Sequence, residues 1–126
     1  MPSYTKINKV GHKQSSPWGL VQSITPVCKG IAFVSTSSHG GYRVAQGLAQ
    51  AKFSPQELAV AAIRQGNYYY FEEDCAWCLV CLTFPEHFPR EAWDDAVSSV
   101  NHWFPQLLQN ATVLQNATHA QRAATL

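Results

Sequence analysis

Four cysteines are the first residues of this sequence that could carry chemistry. Cys75, Cys78 and Cys81 follow a C-x-x-C-x-x-C spacing, which is typical of bacterial iron–sulfur sites, and Cys28 would supply a fourth thiol. Cysteines that hold a cluster lie on irregular loops, whereas the pairs between these three are the apolar Ala-Trp and Leu-Val. Reduced cysteine packs well as a small apolar residue. We therefore predict buried, reduced thiols and neither a metal nor a cofactor.

A histidine in a glycine-rich stretch is the second candidate. Residues 35–42 read STSSHGGY, a composition that predicts a turn between two strands. Hydroxyl groups precede the histidine, and the two glycines after it can take positive φ angles and let a ligand approach the backbone. An ordinary hairpin turn with local hydrogen bonds alone is the alternative. As a binding site, the stretch would use Ser38, His39, Gly40, Gly41 and Tyr42.

Three consecutive acids form the third candidate, and we predict them as binding residues too: Glu72, Glu73 and Asp74. If they begin a helix, neighbouring side chains diverge by about 100°, so at most two could face one cation together with His39. Their expected role is instead to interact with the positive end of the helix dipole and with Arg43 or Arg64.

Catalysis at these positions would use His39, Glu73 or Cys75. Near a helix N-terminus the Cys75 thiolate is favoured, and His39 could act as its base. The adjacent carboxylates oppose this, because nearby negative charge raises the pKa of a thiol. An enzyme or metal-assisted hydrolase centred on His39 and residues 72–75 is therefore the alternative to a non-enzymatic binding protein, which is the leading interpretation.

The acids lead into an apolar element that should be central. Between Cys75 and Phe84 only Thr83 is polar, so a helix here would need cover on all sides. We predict a buried helix over about 71–84 with the acids in its first turn. A fully buried strand over 75–84 is the alternative, since an apolar run of this length fits both.

Two further helices are predicted. Residues 54–57, Ser-Pro-Gln-Glu, form a capping box at the start of a helix over about 55–65, and Gly66 is a suitable stop. Apolar residues at spacings of three and four predict another helix over about 89–104.

Strand-like segments come before these helices. Aliphatic and β-branched runs separated by turn residues predict a small antiparallel sheet over about 18–45, so the fold class is α+β. We expect one globular domain over 17–108, a flexible arm over 1–16 and a polar, frayed tail over 109–126.

Composition narrows the classes of function. The 126 residues have a formal net charge of +1 and 13% charged residues, and without a basic run direct contact with nucleic acid is not expected. The amino terminus lacks the apolar core of a signal peptide, and no apolar run reaches the length of a membrane helix. We predict a cytoplasmic protein that contacts no membrane. A homodimer through Trp93, Trp103 or the Leu-rich tail is a further alternative.

Short motifs link the sequence to a known family. WG at 18–19, SHGG at 38–41, EEDC-x-W at 72–77 and FPE at 84–86 resemble, in this order, a family of small uncharacterised proteins of bacteriophages and plasmids. The resemblance covers about residues 17–90 and brings no activity. It implies mobile DNA in a bacterial host cell, where small proteins often bind host machinery. We therefore expect a host or phage protein as partner, with inhibition of restriction or CRISPR defence as the specific hypothesis.

Overall fold

The computed structural model describes residues 14–109, so most of the predicted arm and tail lies outside it. In this range the strands are β1 (Ser15–Ser16), β2 (Gly19–Leu20), β3 (Ser23–Cys28), β4 (Ile31–Ser35), β5 (Gly40–Ala45), β6 (Ile63–Gln65) and β7 (Tyr68–Glu72). The α-helices are α1 (Gln46–Lys52), α2 (Pro55–Ala61), α3 (Trp77–Thr83) and α4 (Ala92–Trp103), with short 3-10 helices at Pro85–His87 and Pro105–Gln109.

Five strands form one antiparallel sheet in the order β3-β4-β5-β7-β6, and β1 and β2 form a separate small hairpin. Strand β5 is central, and its register with β7 puts Gly41 opposite Glu72. Because side chains alternate along a strand, Phe71 packs into the helical core while its neighbour Tyr70 joins a smaller cluster on the other face. The sheet is thus larger than the predicted span 18–45, because β6 and β7 come from later in the chain.

The capping box was predicted correctly, but the helix behind it is shorter than the predicted 55–65. Ser54 Oγ accepts from the Glu57 N–H at 3.1 Å, and the Ser54 N–H donates to Glu57 Oε1 at 2.7 Å. Helix α2 ends at Ala61, and β6 then pairs with β7 through a turn in which Gly66 has φ 62°. Gly66 therefore turns a hairpin instead of ending a helix.

The predicted helix over 71–84 is wrong in its first half. Phe71 and Glu72 belong to β7, residues 73–76 form turns, and α3 begins only at Trp77. Strand β7 has a neighbour on each side, so its backbone groups bond to β5 and β6. That ladder outweighs the dipole stabilisation of about 0.3–1 kcal/mol per acid that favoured a helix start here. The alternative of a strand over 75–84 is also wrong, since α3 is helical.

Helix α3 lies against β5 and β7, and α4 packs on α3. Residues 78–82 of α3 are all buried, which confirms a helix that is apolar and covered on every side. On α4, which is shorter than the predicted 89–104, Trp93 is buried whereas Trp103 is 50% exposed. Trp93 therefore lies in the core of the single chain and is not free for the dimer contact that was considered as an alternative.

These elements confirm an α+β fold with antiparallel strands. Helix α1 was not predicted; it follows β5 directly, has no side-chain cap and buries only Ala49, so it leaves little pattern in the sequence. None of the helices in the described range has the length and apolar character needed to cross a membrane.

Candidate functional site

The turn between β4 and β5 presents His39 to solvent. Ser37 and Ser38 form the tip, and the Thr36 N–H donates to the His39 carbonyl at 2.8 Å. The Thr36 hydroxyl closes the turn, because its Oγ1 donates to the same carbonyl at 2.9 Å and accepts from the His39 N–H at 3.1 Å. Thr36 is a positioning residue that the sequence analysis missed, although a threonine at the start of a turn is a known signal.

The end of β7 meets this turn. Glu72 lies opposite Gly41, and the Glu73 N–H donates to the Gly40 carbonyl at 2.9 Å. The Cys75 N–H then donates to the Glu72 carbonyl at 3.3 Å, which turns the chain toward α3. Both segments are thus fixed to each other through their backbones.

The side chains of His39 and the acids converge at this junction. His39 Nδ1 lies 3.6 Å from Glu72 Oε2, and one ligand atom each of His39, Glu72 and Asp74 lies within 4.8 Å of the other two. The expected ion pairs with Arg43 and Arg64 are not formed. Arg43 donates to the Gln14 side chain at 2.9 Å, and Arg64 lies over the ring of Tyr69.

Cys75 lies next to this junction but is a poor nucleophile. Desolvation by burial, followed by its hydrogen bond to Glu72 and the charge of that carboxylate, raises the pKa of Cys75 to about 11. The thiol donates to Glu72 Oε1 at 3.4 Å. At neutral pH the protonated thiol is therefore favoured, which argues against Cys75 as the nucleophile of a Cys75–His39 pair.

Two of the other cysteines are core residues of the described chain, whereas Cys28 at the end of β3 is only partly buried, so the prediction of buried thiols holds for Cys78 and Cys81 alone. Cys78 and Cys81 are buried in α3, where burial raises the pKa of Cys78 to about 12 and that of Cys81 to about 11. All four cysteines are free thiols, and no three of them come within ligand distance of one another in residues 14–109. The C-x-x-C-x-x-C spacing therefore reflects packing of a buried helix.

The glycines of the SHGG motif serve the sheet. Both are strand residues of β5, and neither has the predicted positive φ angle. A Cβ atom on Gly41 would overlap the Phe71 carbonyl oxygen and lie 2.6 Å from Trp18 Cη2. Gly41 is thus required because β7 and the Trp18 ring both approach its backbone closely. Trp18 was not predicted to have this role.

Tyr42 belongs to the helical side of the sheet. Its ring contacts Phe33 and Phe88 at centroid distances of 5.1 and 5.3 Å, and burial raises the pKa of its hydroxyl. Five of the predicted binding residues lie where the β4–β5 turn meets the end of β7: Ser38, His39, Glu72, Glu73 and Asp74. The other three, Gly40, Gly41 and Tyr42, are structural residues of β5. We call the group of His39, Glu72, Glu73 and Asp74 the acidic rim; Ser38 lies beside it on the turn.

The fold and the acidic rim define a small α+β domain with carboxylates and one imidazole exposed at one end of its inner strands β5 and β7. The chain belongs to the family described as domain of unknown function (DUF7007), which matches residues 11–125. This agrees with the predicted membership of an uncharacterised family. Neither a curated protein nor a solved structure matches the chain.

Proposed function

We propose that this chain is a non-enzymatic binding protein whose acidic rim contacts a basic surface of a protein partner. One observation carries the proposal: Glu73 and Asp74 are exposed, and neither forms an ion pair with another residue of the range 14–109. Opposite charges across an interface speed association and discriminate among partners. Unpaired surface carboxylates beside an imidazole are suited to that use.

The rigidity of the rim supports the proposal. Glu73 is tied to Gly40 by a backbone hydrogen bond, and Glu72 is held in the β5–β7 ladder. Side chains carried on fixed backbone lose less conformational entropy when a partner binds than those on a free loop. The rim therefore needs little reorganisation to form an interface.

We further propose that the partner is a host or phage protein and that the chain inhibits a bacterial defence system such as restriction or CRISPR. This part rests on the resemblance of the WG, SHGG and EEDC-x-W motifs to phage and plasmid proteins. Phage plaque counts on a host with active defence, with and without the expressed chain, test it. Equal counts under both conditions would argue against inhibition.

A pair of charge-reversal variants tests the binding surface. Glu73→Lys with Asp74→Lys reverses the rim, and Asp94→Lys with Asp95→Lys makes the same charge change at exposed positions of α4. Tagged chains capture proteins from host lysate, and mass spectrometry quantifies them after circular dichroism has shown that both variants fold. We expect the rim variant alone to lose the enriched protein. If both variants lose the enriched protein equally, or both retain it equally, the acidic rim is not the binding surface.

Hydrolysis at the same junction is a second candidate, because His39 and two carboxylates lie within 4.8 Å of one another. Glu72 or Asp74 would act as the base, since the raised pKa of Cys75 disfavours its thiolate at neutral pH. Turnover of ester and phosphoester substrates that His39→Ala abolishes would favour this function over binding. A third candidate is an oligomeric structural module with the exposed Trp103 at the contact. Light scattering tests it, since the module must be a dimer in solution.

A further inference from the structure

The acidic rim contains donor atoms of two chemical kinds from three separate positions. His39 supplies an imidazole nitrogen from the β4–β5 turn, Glu72 a carboxylate from the end of β7, and Asp74 a carboxylate from the following turn. Because β5 and β7 pair side by side, residues distant in sequence come together at one point. A helix over 71–84 would have separated the two carboxylates.

The separation of the donor atoms is close to that of a metal site. Zinc bonds to imidazole nitrogen and carboxylate oxygen at about 2.0–2.2 Å, so two ligands of one ion lie at most about 4.4 Å apart. The three donors here lie within 4.8 Å of one another. Small side-chain rotations close the difference, and His39, whose side chain is 49% exposed, has the room to make them.

The surroundings of Glu72 also suit a ligand. Its Oε1 accepts from the Cys75 thiol at 3.4 Å, while its Oε2 lies nearer the imidazole, 3.6 Å from Nδ1. One carboxylate oxygen is thus oriented by an outer hydrogen bond, and the other lies beside the imidazole. Outer partners of this kind orient metal ligands in many proteins.

We infer that His39, Glu72 and Asp74 bind one divalent transition-metal ion of the zinc class. One nitrogen and two oxygens suit zinc and its neighbours better than calcium or magnesium, which prefer oxygen alone. Three protein ligands leave at least one coordination position open. The inference deepens the proposed function and rests on it for its role: a histidine imidazole on the basic surface of the partner would occupy the open position.

Calorimetric titration of the purified full-length chain with zinc tests the site without any partner. We expect one ion per chain. His39→Ala and Asp74→Ala should each weaken zinc binding by more than the roughly 10–100-fold that loss of an outer partner costs. Cys75→Ala should weaken zinc binding only by that smaller factor of roughly 10–100, because Cys75 orients Glu72 without touching the ion.

The chain contains its own matched control. His87 Nε2 lies 3.6 Å from Glu86 Oε2, the same separation as in the rim, but the described residues give that pair no third donor. His87→Ala should therefore leave zinc binding unchanged. Zinc affinity that is unaffected by His39→Ala, or lost equally with His87→Ala, would overturn the inference. Abolition of binding by Cys75→Ala would also overturn it, because the thiol would then be a ligand.

The inference and the proposed function can fail separately. If wild-type chain binds no zinc but Glu73→Lys with Asp74→Lys still loses its protein partner, the metal site is refuted and the binding surface stands. If zinc binds as expected but the rim variant keeps its partner, the metal site stands and the proposed function fails.

Discussion

Gly41→Ala is the most direct test of how the sheet is assembled at the acidic rim. An added Cβ would overlap the Phe71 carbonyl oxygen, lie 2.6 Å from Trp18 Cη2 and lie 3.0 Å from Glu72 Cα. Two of these neighbours are backbone atoms of β7, which cannot rotate away as a side chain can. The strands must therefore separate locally for alanine to fit.

The size of the effect follows from two opposing terms. Overpacking of a close-packed site costs about 1–3 kcal/mol, and contact with backbone puts this case at the upper end. Because Gly41 has no positive φ, alanine also reduces the entropy of the unfolded chain, which stabilises by about 0.4–1 kcal/mol. We expect a net loss of about 2 kcal/mol in the free energy of unfolding.

Urea unfolding followed by circular dichroism measures this loss. With a slope of about 1–3 kcal/mol per molar urea, the midpoint should fall by about 1 M. Gly47→Ala is the matched control, because its added Cβ would meet no atom outside its own helix and chain neighbours within 4 Å, and alanine is a better helix former than glycine. Trp18→Ala in the Gly41→Ala background should not restore stability, since the Phe71 overlap remains. A Gly41→Ala chain as stable as wild type would refute this account.

Three further predictions concern the cap, a buried acid and the thiol at the rim. Ser54→Ala should lower the free energy of unfolding by about 1 kcal/mol in urea titration, because it removes one of the two capping-box hydrogen bonds; a change below 0.3 kcal/mol would contradict this. Burial raises the pKa of Glu57 above 4.5 in the folded chain. Between pH 4.5 and the folded pKa, the folded state therefore keeps a proton on Glu57 that the unfolded state has released. Glu57 therefore contributes stability below pH about 4.5 that is lost as pH rises through its folded pKa, and Glu57→Gln should remove this part of the pH dependence measured by urea unfolding. With a pKa of about 11, Cys75 has about 100-fold less thiolate at pH 8 than a thiol with the reference pKa of 9.0. Iodoacetamide should therefore label Cys75 far more slowly in the folded chain than in the urea-unfolded chain, and mass spectrometry measures both rates. Glu72→Gln should speed that labelling, and equal rates in folded and unfolded chain would show that the thiol is not perturbed.

Local signals in the sequence were interpreted correctly where the structure is itself local. The capping box needs only residues 54–57, and the buried character of α3 follows from its own apolar run. Strand β6 was missed because Ile63–Gln65 continues the helical pattern of α2. The Gly66–Asn67 pair between it and the tyrosine-rich β7 was an available signal, since this dipeptide between two short strands is typical of a hairpin.

The candidate site depended on information that a single sequence does not carry. Whether Glu72 and Asp74 can face one point with His39 depends on the pairing of β5 with β7, two strands separated by α1, α2 and β6. The helical interpretation let at most two of the three acids face one cation together with His39, and it placed Glu72 and Asp74 about 200° apart around the helix axis. Its premise failed because the partner strand lies some 30 residues earlier in the chain, from Gly41 to Glu72.

The register of that pairing links the glycine to the rim. Side chains alternate in a strand, so a slip of one residue between β5 and β7 would move Glu72 to the helical face of the sheet and Phe71 out of the core. Burial of Phe71 therefore fixes the face on which Glu72 lies. The absent side chain of Gly41 lets β7 and Trp18 approach closely enough for this register to form. A perturbation at Gly41 should consequently change both the stability of the sheet and the geometry of His39 and Glu72, whereas Asp74→Ala should change the rim alone.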